Sequence, residues 1–319
     1  MHIHILGICG TLMGSIALLA KAQGHTITGS DDGVYPPMSD QLRLEGIALQ
    51  SPYSRNSIPD AADLVVLGNA GLSRGNPAVE ALLSNGTEFC SGAEFLGRFI
   101  LKDKWVIAVS GTHGKTTTAS MVTWILDCAG LNPGYLIGGI PTNFERSARL
   151  TESPFFVIEA DEYDTSFFDR QSKFLHYHPR TLVLNNLEFD HADIFADLKA
   201  IEDQFHQLIR RVPANGLIIS NGQDHNIETL LERGIWSEQL RFGVIDDQDP
   251  QSPGGLSMHQ PSQVISLEGA RLGTLSWRLT GAHNLSNALA ALAAARHVGV
   301  PPALGIQYLA DFTGAKRRM

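Results

Sequence analysis

Cationic residues are scarce in this chain. Lys and Arg total 24 against 33 Asp and Glu, a formal net charge of −9, with no basic tail or run. Such a balance argues against wrapping nucleic acid or docking on an anionic membrane. A phosphate-bearing ligand must instead be held by local geometry. Cysteine is rarer still: Cys9, Cys90 and Cys128 are odd in number, widely spaced and form no CxxC pair. That excludes a disulfide scaffold and a zinc ribbon, and suits a reducing compartment. Charge is missing altogether from residues 1–20, and Ala20-Lys21-Ala22 imitates a cleavage site. The start carries no positive cluster, however, and glycines at 7, 10 and 14 break the apolar run. A signal peptide or membrane span is a poor reading of it. The expectation is a buried strand, a turn and a helix in a cytoplasmic protein.

What is present is ordinary globular material. The 319 residues are 43% hydrophobic and 18% charged, enough for two domains with a core each. Apolar runs at 3–6, 26–28 and 64–67 read as strands, and 12–22, 77–83 and 93–100 as helices. This alternation predicts a parallel sheet faced by helices. Leu101-Lys102-Asp103-Lys104 marks a boundary. A second series follows, with strands at 105–109, 155–158 and 181–184 and helices at 115–129 and 202–211. Segments at 263–267 and 271–279, punctuated by Gly and Pro, predict antiparallel hairpins within 240–280, before a helix at 285–296 and another after Pro301-Pro302. The fold class is therefore α/β: an N-terminal Rossmann-like parallel sheet over residues 1–102, then an ATP-binding α/β domain over 103–319 of the P-loop NTPase type, with a small antiparallel portion.

The most informative stretch is Val106-Ile107-Ala108-Val109-Ser110-Gly111-Thr112-His113-Gly114-Lys115-Thr116-Thr117. A strand enters a loop with two glycines, and Lys-Thr opens a helix. N–H groups left unpaired at a helix start converge on phosphate oxygens, and glycines allow close approach. Lys115 would reach the terminal phosphates, and the Thr116 hydroxyl would ligate Mg²⁺. Val109 stands where the longer Walker pattern has its first glycine, leaving the shorter GxxGK(S/T).

Two acidic segments follow apolar strands. Phe155–Ile158 runs into Glu159-Ala160-Asp161-Glu162, and Thr181–Leu184 into Asn185-Asn186-Leu187-Glu188-Phe189-Asp190-His191. If both strands flank the phosphate-loop strand, Glu159 and His191 converge on the phosphates, although Mg²⁺ prefers oxygen ligands. Near the N-terminus, Gly7-Ile8-Cys9-Gly10-Thr11-Leu12-Met13-Gly14 departs from GxGxxG. It fits either close helix–strand packing or a nucleotide turn, with Ser30-Asp31 placed to meet a ribose. On those residues alone a nicotinamide dehydrogenase competes. The later phosphate loop argues for two nucleotide-containing ligands.

Gly111–Thr117, Glu159–Glu162, Asp190-His191 and Gly281-Ala282-His283-Asn284 together resemble the Mur ligase family, ATP-dependent amide ligases of bacterial cell-wall synthesis. Tyr35–Ser39, Arg74–Pro77, Asn143-Phe144 and residues 159–195 are most similar to the branch that joins L-alanyl-γ-D-glutamyl-meso-diaminopimelate to UDP-N-acetylmuramate. A branch adding L-alanine alone is the nearest alternative, and a non-catalytic nucleotide sensor is one of another class.

The resemblance implies ATP and Mg²⁺ as cofactors, and the UDP-sugar and the tripeptide as substrates. It implies Lys115, Glu159 and His191 as catalytic residues, with Thr116, Glu159 and His191 on the metal. ATP would be held by Gly111, Thr112, His113, Gly114, Lys115, Thr116, Thr117, His283, Asn284, Asn287, Arg317 and Arg318. The UDP-sugar would be held by Gly7, Gly10, Thr11, Met13, Ser30, Asp31, Asn69 and Asn143. Two departures accompany it. His206 stands where several sister ligases carry a carbamylated lysine, and Lys199 is out of register. The family's C-terminal domain has no counterpart here, which implies that these residues alone ligate slowly or not at all.

Overall fold

Four-residue strands made wholly of buried apolar side chains, such as Leu64–Leu67, set the frame of the fold. The computed structural model describes residues 1–139, 143–144, 146–190, 195–247 and 254–314. Its chain divides into two compact units, Met1–Asp103 with Tyr163–Tyr177, and Lys104–Glu162 with His178–Met319. The sequence drew one boundary near residue 103; the described contacts add the later segment Tyr163–Tyr177 to the first unit.

In the first unit β1 (His2–Leu6), β2 (Thr26–Ser30), β3 (Ala48–Gln50), β4 (Leu64–Leu67) and β5 (Phe89–Ser91) form a parallel sheet in the order β3-β2-β1-β4-β5. Connections reverse direction between β1 and β4, and such a switch point opens a crevice at the carboxyl ends of the two strands. The helices are α1 (Thr11–Ala22), α2 (Met38–Leu44), α3 (Pro77–Asn85) and α4 (Gly92–Phe95), the last continued by a π-helical turn, Leu96–Ile100. The start of α3 is written locally: the Asn76 side chain accepts from Ala78 N–H and Pro77 opens the first turn. One face of the sheet meets Ala78, Val79 and Leu82 of this helix, packed on Leu6, Val65 and Leu67.

The second unit holds β6 (Trp105–Ser110), β7 (Gly134–Leu136), β8 (Ala148–Arg149), β9 (Phe155–Glu159), β10 (Thr181–Leu184), β11 (Leu217–Asn221), β12 (Glu238–Asp246), β13 (Leu256–Gln260), β14 (Val264–Leu267) and β15 (Ala270–Thr274). They form one mixed sheet in the order β15-β14-β13-β12-β11-β10-β6-β9-β7-β8. The hairpins expected within 240–280 exist as β13–β14 and β14–β15, but β12 pairs in parallel with both β11 and β13. Helices α5 (Lys115–Cys128), α6 (Leu198–Ile209), α7 (His225–Glu232), α8 (Ala282–His297) and α9 (Pro302–Leu309) complete the unit. Residues Ala288–Ala295 of α8 are all buried. Their small side chains allow the helix to lie close against its neighbours in the core.

Candidate functional site

The strand order brings three sequence motifs to one edge. β6 lies between β10 and β9, with Ser110 opposite Leu184 and Val109 opposite Glu159. The loop after β6 is thus flanked by the acidic end of β9 and the Asn-Asn turn after β10. Gly114 adopts a left-handed φ of 79° and opens α5 without a side-chain cap. By contrast, Asp197 and Asp224 cap α6 and α7. An uncapped start leaves first-turn N–H groups available to an anion.

The loop is clamped from outside. Asn186 Oδ1 accepts from His113 N at 2.6 Å, and Asn186 Nδ2 donates to His113 O at 3.0 Å. Asn185 Nδ2 donates to His113 O at 3.1 Å and to Asn287 Oδ1 at 2.8 Å, tying the loop to α8. A Cβ on Gly114 would collide with this pair of amides. Lys115 Nζ reaches Gly111 O at 2.6 Å and Glu162 Oε2 at 3.2 Å. Thr116 Oγ1 donates to Glu159 Oε1 at 2.5 Å, and the other carboxylate oxygen accepts from Gly138 N. Burial pushes the Glu159 carboxyl above its ordinary range, against the pull of Thr116, Gly138 and Lys115. Thr116 and Glu159 offer adjacent oxygen donors, which suit a hard divalent cation.

Beside this loop is a cavity of about 640 Å³ lined by His113, Gly114, Asn185, Gln223, His283 and Asn287, among others. Asn284, grouped with them from the sequence, turns its amide to Thr280 O and is not among the lining residues. Thr117 sits in the first turn of α5. His191, Arg317 and Arg318 lie outside the described residues.

In the first unit a cavity of about 290 Å³ occupies the switch point. Gly7, Gly10, Thr11, Met13, Asp31 and Asn69 line it. Gly7 has a φ of 80°, open to glycine without strain. Both Asp31 carboxylate oxygens accept backbone N–H groups, Oδ2 from Cys9 at 2.8 Å and Oδ1 from Gly33 at 3.0 Å. Burial raises the Cys9 thiol to about 11, and the neighbouring Asp31 adds to the effect.

Two residues assigned to this ligand are not among the residues that line this cavity. Ser30 is fully buried, and its hydroxyl is engaged by His4 Nε2 at 3.0 Å and Ser57 O at 3.3 Å. It supports the strand end under Asp31 and does not line the cavity. Asn143 belongs to the second unit, where its Oδ1 accepts from Thr313 N and Oγ1. Conversely, Glu162, Asn185, Asn186, Thr165 and Lys173 carried no assigned role in the sequence, although the first three sit inside the quoted motifs.

Comparison with known proteins matches residues 2–104 to the catalytic domain of the Mur ligase family and residues 109–295 to the Mur ligase middle domain. The UDP-N-acetylmuramate–L-alanyl-γ-D-glutamyl-meso-2,6-diaminoheptandioate ligase of Escherichia coli (strain K12) is 53% identical over 319 residues, covering 100% of this chain and 69% of that protein. A UDP-N-acetylmuramate–L-alanine ligase of Arthrobacter sp. (strain FB24) is 34% identical over 322 residues, covering 99% and 65%. A crystal structure of the UDP-N-acetylmuramate:L-alanyl-γ-D-glutamyl-meso-diaminopimelate ligase of Neisseria meningitides superposes with a TM-score of 0.92 at 47% identity, covering 99% of each chain. With two family domains matched in order and these identities along its length, the chain belongs to the Mur ligase family.

Proposed function

We propose that this chain binds ATP and UDP-N-acetylmuramate for an ATP-dependent amide ligation. The amine partner is L-alanyl-γ-D-glutamyl-meso-diaminopimelate, joined to the lactyl carboxylate of the sugar. The observation that carries the chemistry is the meeting of Lys115, Thr116 and Glu159 at the carboxyl edge of β6 and β9. The acceptor follows from the higher identity, 53%, to the tripeptide ligase than to the alanine ligase, 34%.

A carboxylate is a poor acyl donor, because its leaving group would be oxide. Transfer of the ATP γ-phosphoryl group to a carboxylate oxygen gives an acyl phosphate and ADP. Attack by the tripeptide amine forms the C–N bond. Collapse of the tetrahedral species expels phosphate, and the nitrogen loses a proton. Charge on the moving phosphoryl group has to be neutralised by positioned donors. The Lys115 ammonium and the uncapped N–H groups of α5 supply that, on a loop held in place by Asn185 and Asn186. Mg²⁺, held by Thr116 and Glu159, would add positive charge at the phosphates. The first unit holds the UDP-sugar at Gly7–Met13 and Asn69.

The reading is tested by thermal denaturation with each ligand. ATP with Mg²⁺ and UDP-N-acetylmuramate each raise Tm by several degrees at a hundredfold excess over Kd. Slow phosphate release on adding the tripeptide, with none on adding L-alanine, identifies the acceptor. Absence of a shift with UDP-N-acetylmuramate overturns the assignment. Among the described residues no helix is long and apolar enough to cross a membrane.

A further inference from the structure

One wall of the switch-point cavity is not supplied by the first hundred residues. Tyr163–Tyr177 packs with the first unit as a folded arm. Asn69 Nδ2 donates to Asp164 Oδ1 at 2.6 Å. Asp169 Oδ2 accepts from Ser91 Oγ at 3.3 Å and lies 2.7 Å from His176 Nε2. Phe168 meets Phe89 edge-on at 5.0 Å, and Phe167 packs against the cluster containing Leu6 and Val65. Inside the arm, Thr165 N donates to Gln171 O and Lys173 N to Tyr163 O.

Held in this way, the arm places Thr165 and Lys173 in the cavity wall. The Thr165 hydroxyl is buried, at 4% exposure, and makes no hydrogen bond among the described residues. A buried hydroxyl without a partner lowers stability, so its presence here calls for one. The charged residues of the wall are Asp31 and Lys173. Asp31 accepts from two backbone N–H groups, and Lys173, its ammonium 5.3 Å over the Tyr163 ring, brings positive charge to the wall that also holds Thr165, which suits an anionic oxygen.

We propose that Thr165 is a binding residue of this cavity, its hydroxyl donating to an anionic oxygen of the UDP-sugar, and that Asp169 latches the arm that positions it. This rests on the function proposed above. The anionic oxygen belongs either to the diphosphate or to the lactyl carboxylate.

Calorimetric titration of the 319-residue protein separates these possibilities, using UDP-N-acetylmuramate, UDP-N-acetylglucosamine and ATP as probes. Thr165→Val binds the muramate about tenfold more weakly, as expected on losing a hydrogen bond to a charged group. It binds ATP unchanged and melts no lower than the parent. Thr165→Ser restores affinity. A hydroxyl with a merely structural role would lower Tm and leave affinity alone. Equal loss with both sugars assigns the contact to the diphosphate, and loss with the muramate only assigns it to the carboxylate. Asp169→Asn weakens the same sugar or sugars as Thr165→Val while sparing ATP. Unchanged muramate affinity in Thr165→Val overturns the binding role, and unchanged affinity in Asp169→Asn overturns the latch. A parent protein that binds ATP but neither sugar refutes the functional reading itself, and the proposal falls with it.

Discussion

Lys115 Nζ lies 3.2 Å from Glu162 Oε2, and the Glu162 side chain is 3% exposed. One ammonium therefore compensates a buried carboxylate and faces the phosphate loop. Lys115→Ala removes that cation from beside the carboxylate, which costs about 3 kcal/mol for a largely buried pair. The same change lowers ATP affinity. Adding Glu162→Gln removes the buried charge as well, so the double variant recovers much of the stability but none of the affinity. Urea unfolding alongside nucleotide titration checks this. Parallel recovery of both quantities would show that Lys115 acts through folding alone.

The amide clamp makes a separate prediction. Asn186 holds both the N–H and the carbonyl of His113. Asn186→Ala frees the loop and weakens ATP binding about tenfold, the loss of two hydrogen bonds of ordinary strength. UDP-N-acetylmuramate affinity stays at the parental value, because Asn186 belongs to the second unit's loop. Asn186→Asp keeps an acceptor for His113 N–H but sets a carboxylate oxygen against the His113 carbonyl and adds negative charge beside the phosphates, so its affinity falls at least as far as that of Asn186→Ala. Equal affinity in all three proteins rules the clamp out.

Metal dependence follows from Thr116 and Glu159, whose oxygens adjoin at 2.5 Å. Mg²⁺ tightens ATP binding to the parent protein, and chelation with EDTA reverses the effect. In Glu159→Ala the affinity is the same with and without Mg²⁺. A full Mg²⁺ effect in that variant would move the cation elsewhere.

How much of this was legible in the sequence depended on distance along the chain. Leu64–Leu67 is apolar throughout, Thr181–Leu184 is apolar after its first residue, and both are buried throughout, so composition alone placed them in sheets. The phosphate loop was legible because its strand, glycines and Lys-Thr are consecutive. β3, β5 and β7 have three residues each, too few to display a period. The Asn185–Asn186 clamp needs β10 beside β6, a pairing that no local pattern encodes. The arm is harder still to foresee: Asp164 and Asp169 look like solvated acids until Asn69 and Ser91, 95 and 78 residues earlier, are seen beside them. Ser30 is the reverse case. Its position at the end of β2 suggested a ligand contact, and only the fold shows His4 on its hydroxyl.

That histidine gives the last prediction. His4 is fully buried, with Nδ1 2.8 Å from Thr28 Oγ1 and Nε2 3.0 Å from Ser30 Oγ. Burial, and secondarily the charge of His2, push its pKa from 6.5 down to about 4. Between these values the unfolded chain takes up a proton that the folded chain excludes, so stability falls with pH. The contribution is complete above pH 6.5, declines through the interval and levels off below about 4. Its full size is about 3 kcal/mol. In His4→Gln this component of the slope between pH 6.5 and 4 is absent, although stability at pH 7 is lower because the two ring hydrogen bonds change. Denaturant titrations of both proteins at closely spaced pH values isolate the difference. Identical slopes would mean that His4 takes up its proton in the folded state, and that the Thr28–His4–Ser30 chain opens without unfolding the sheet.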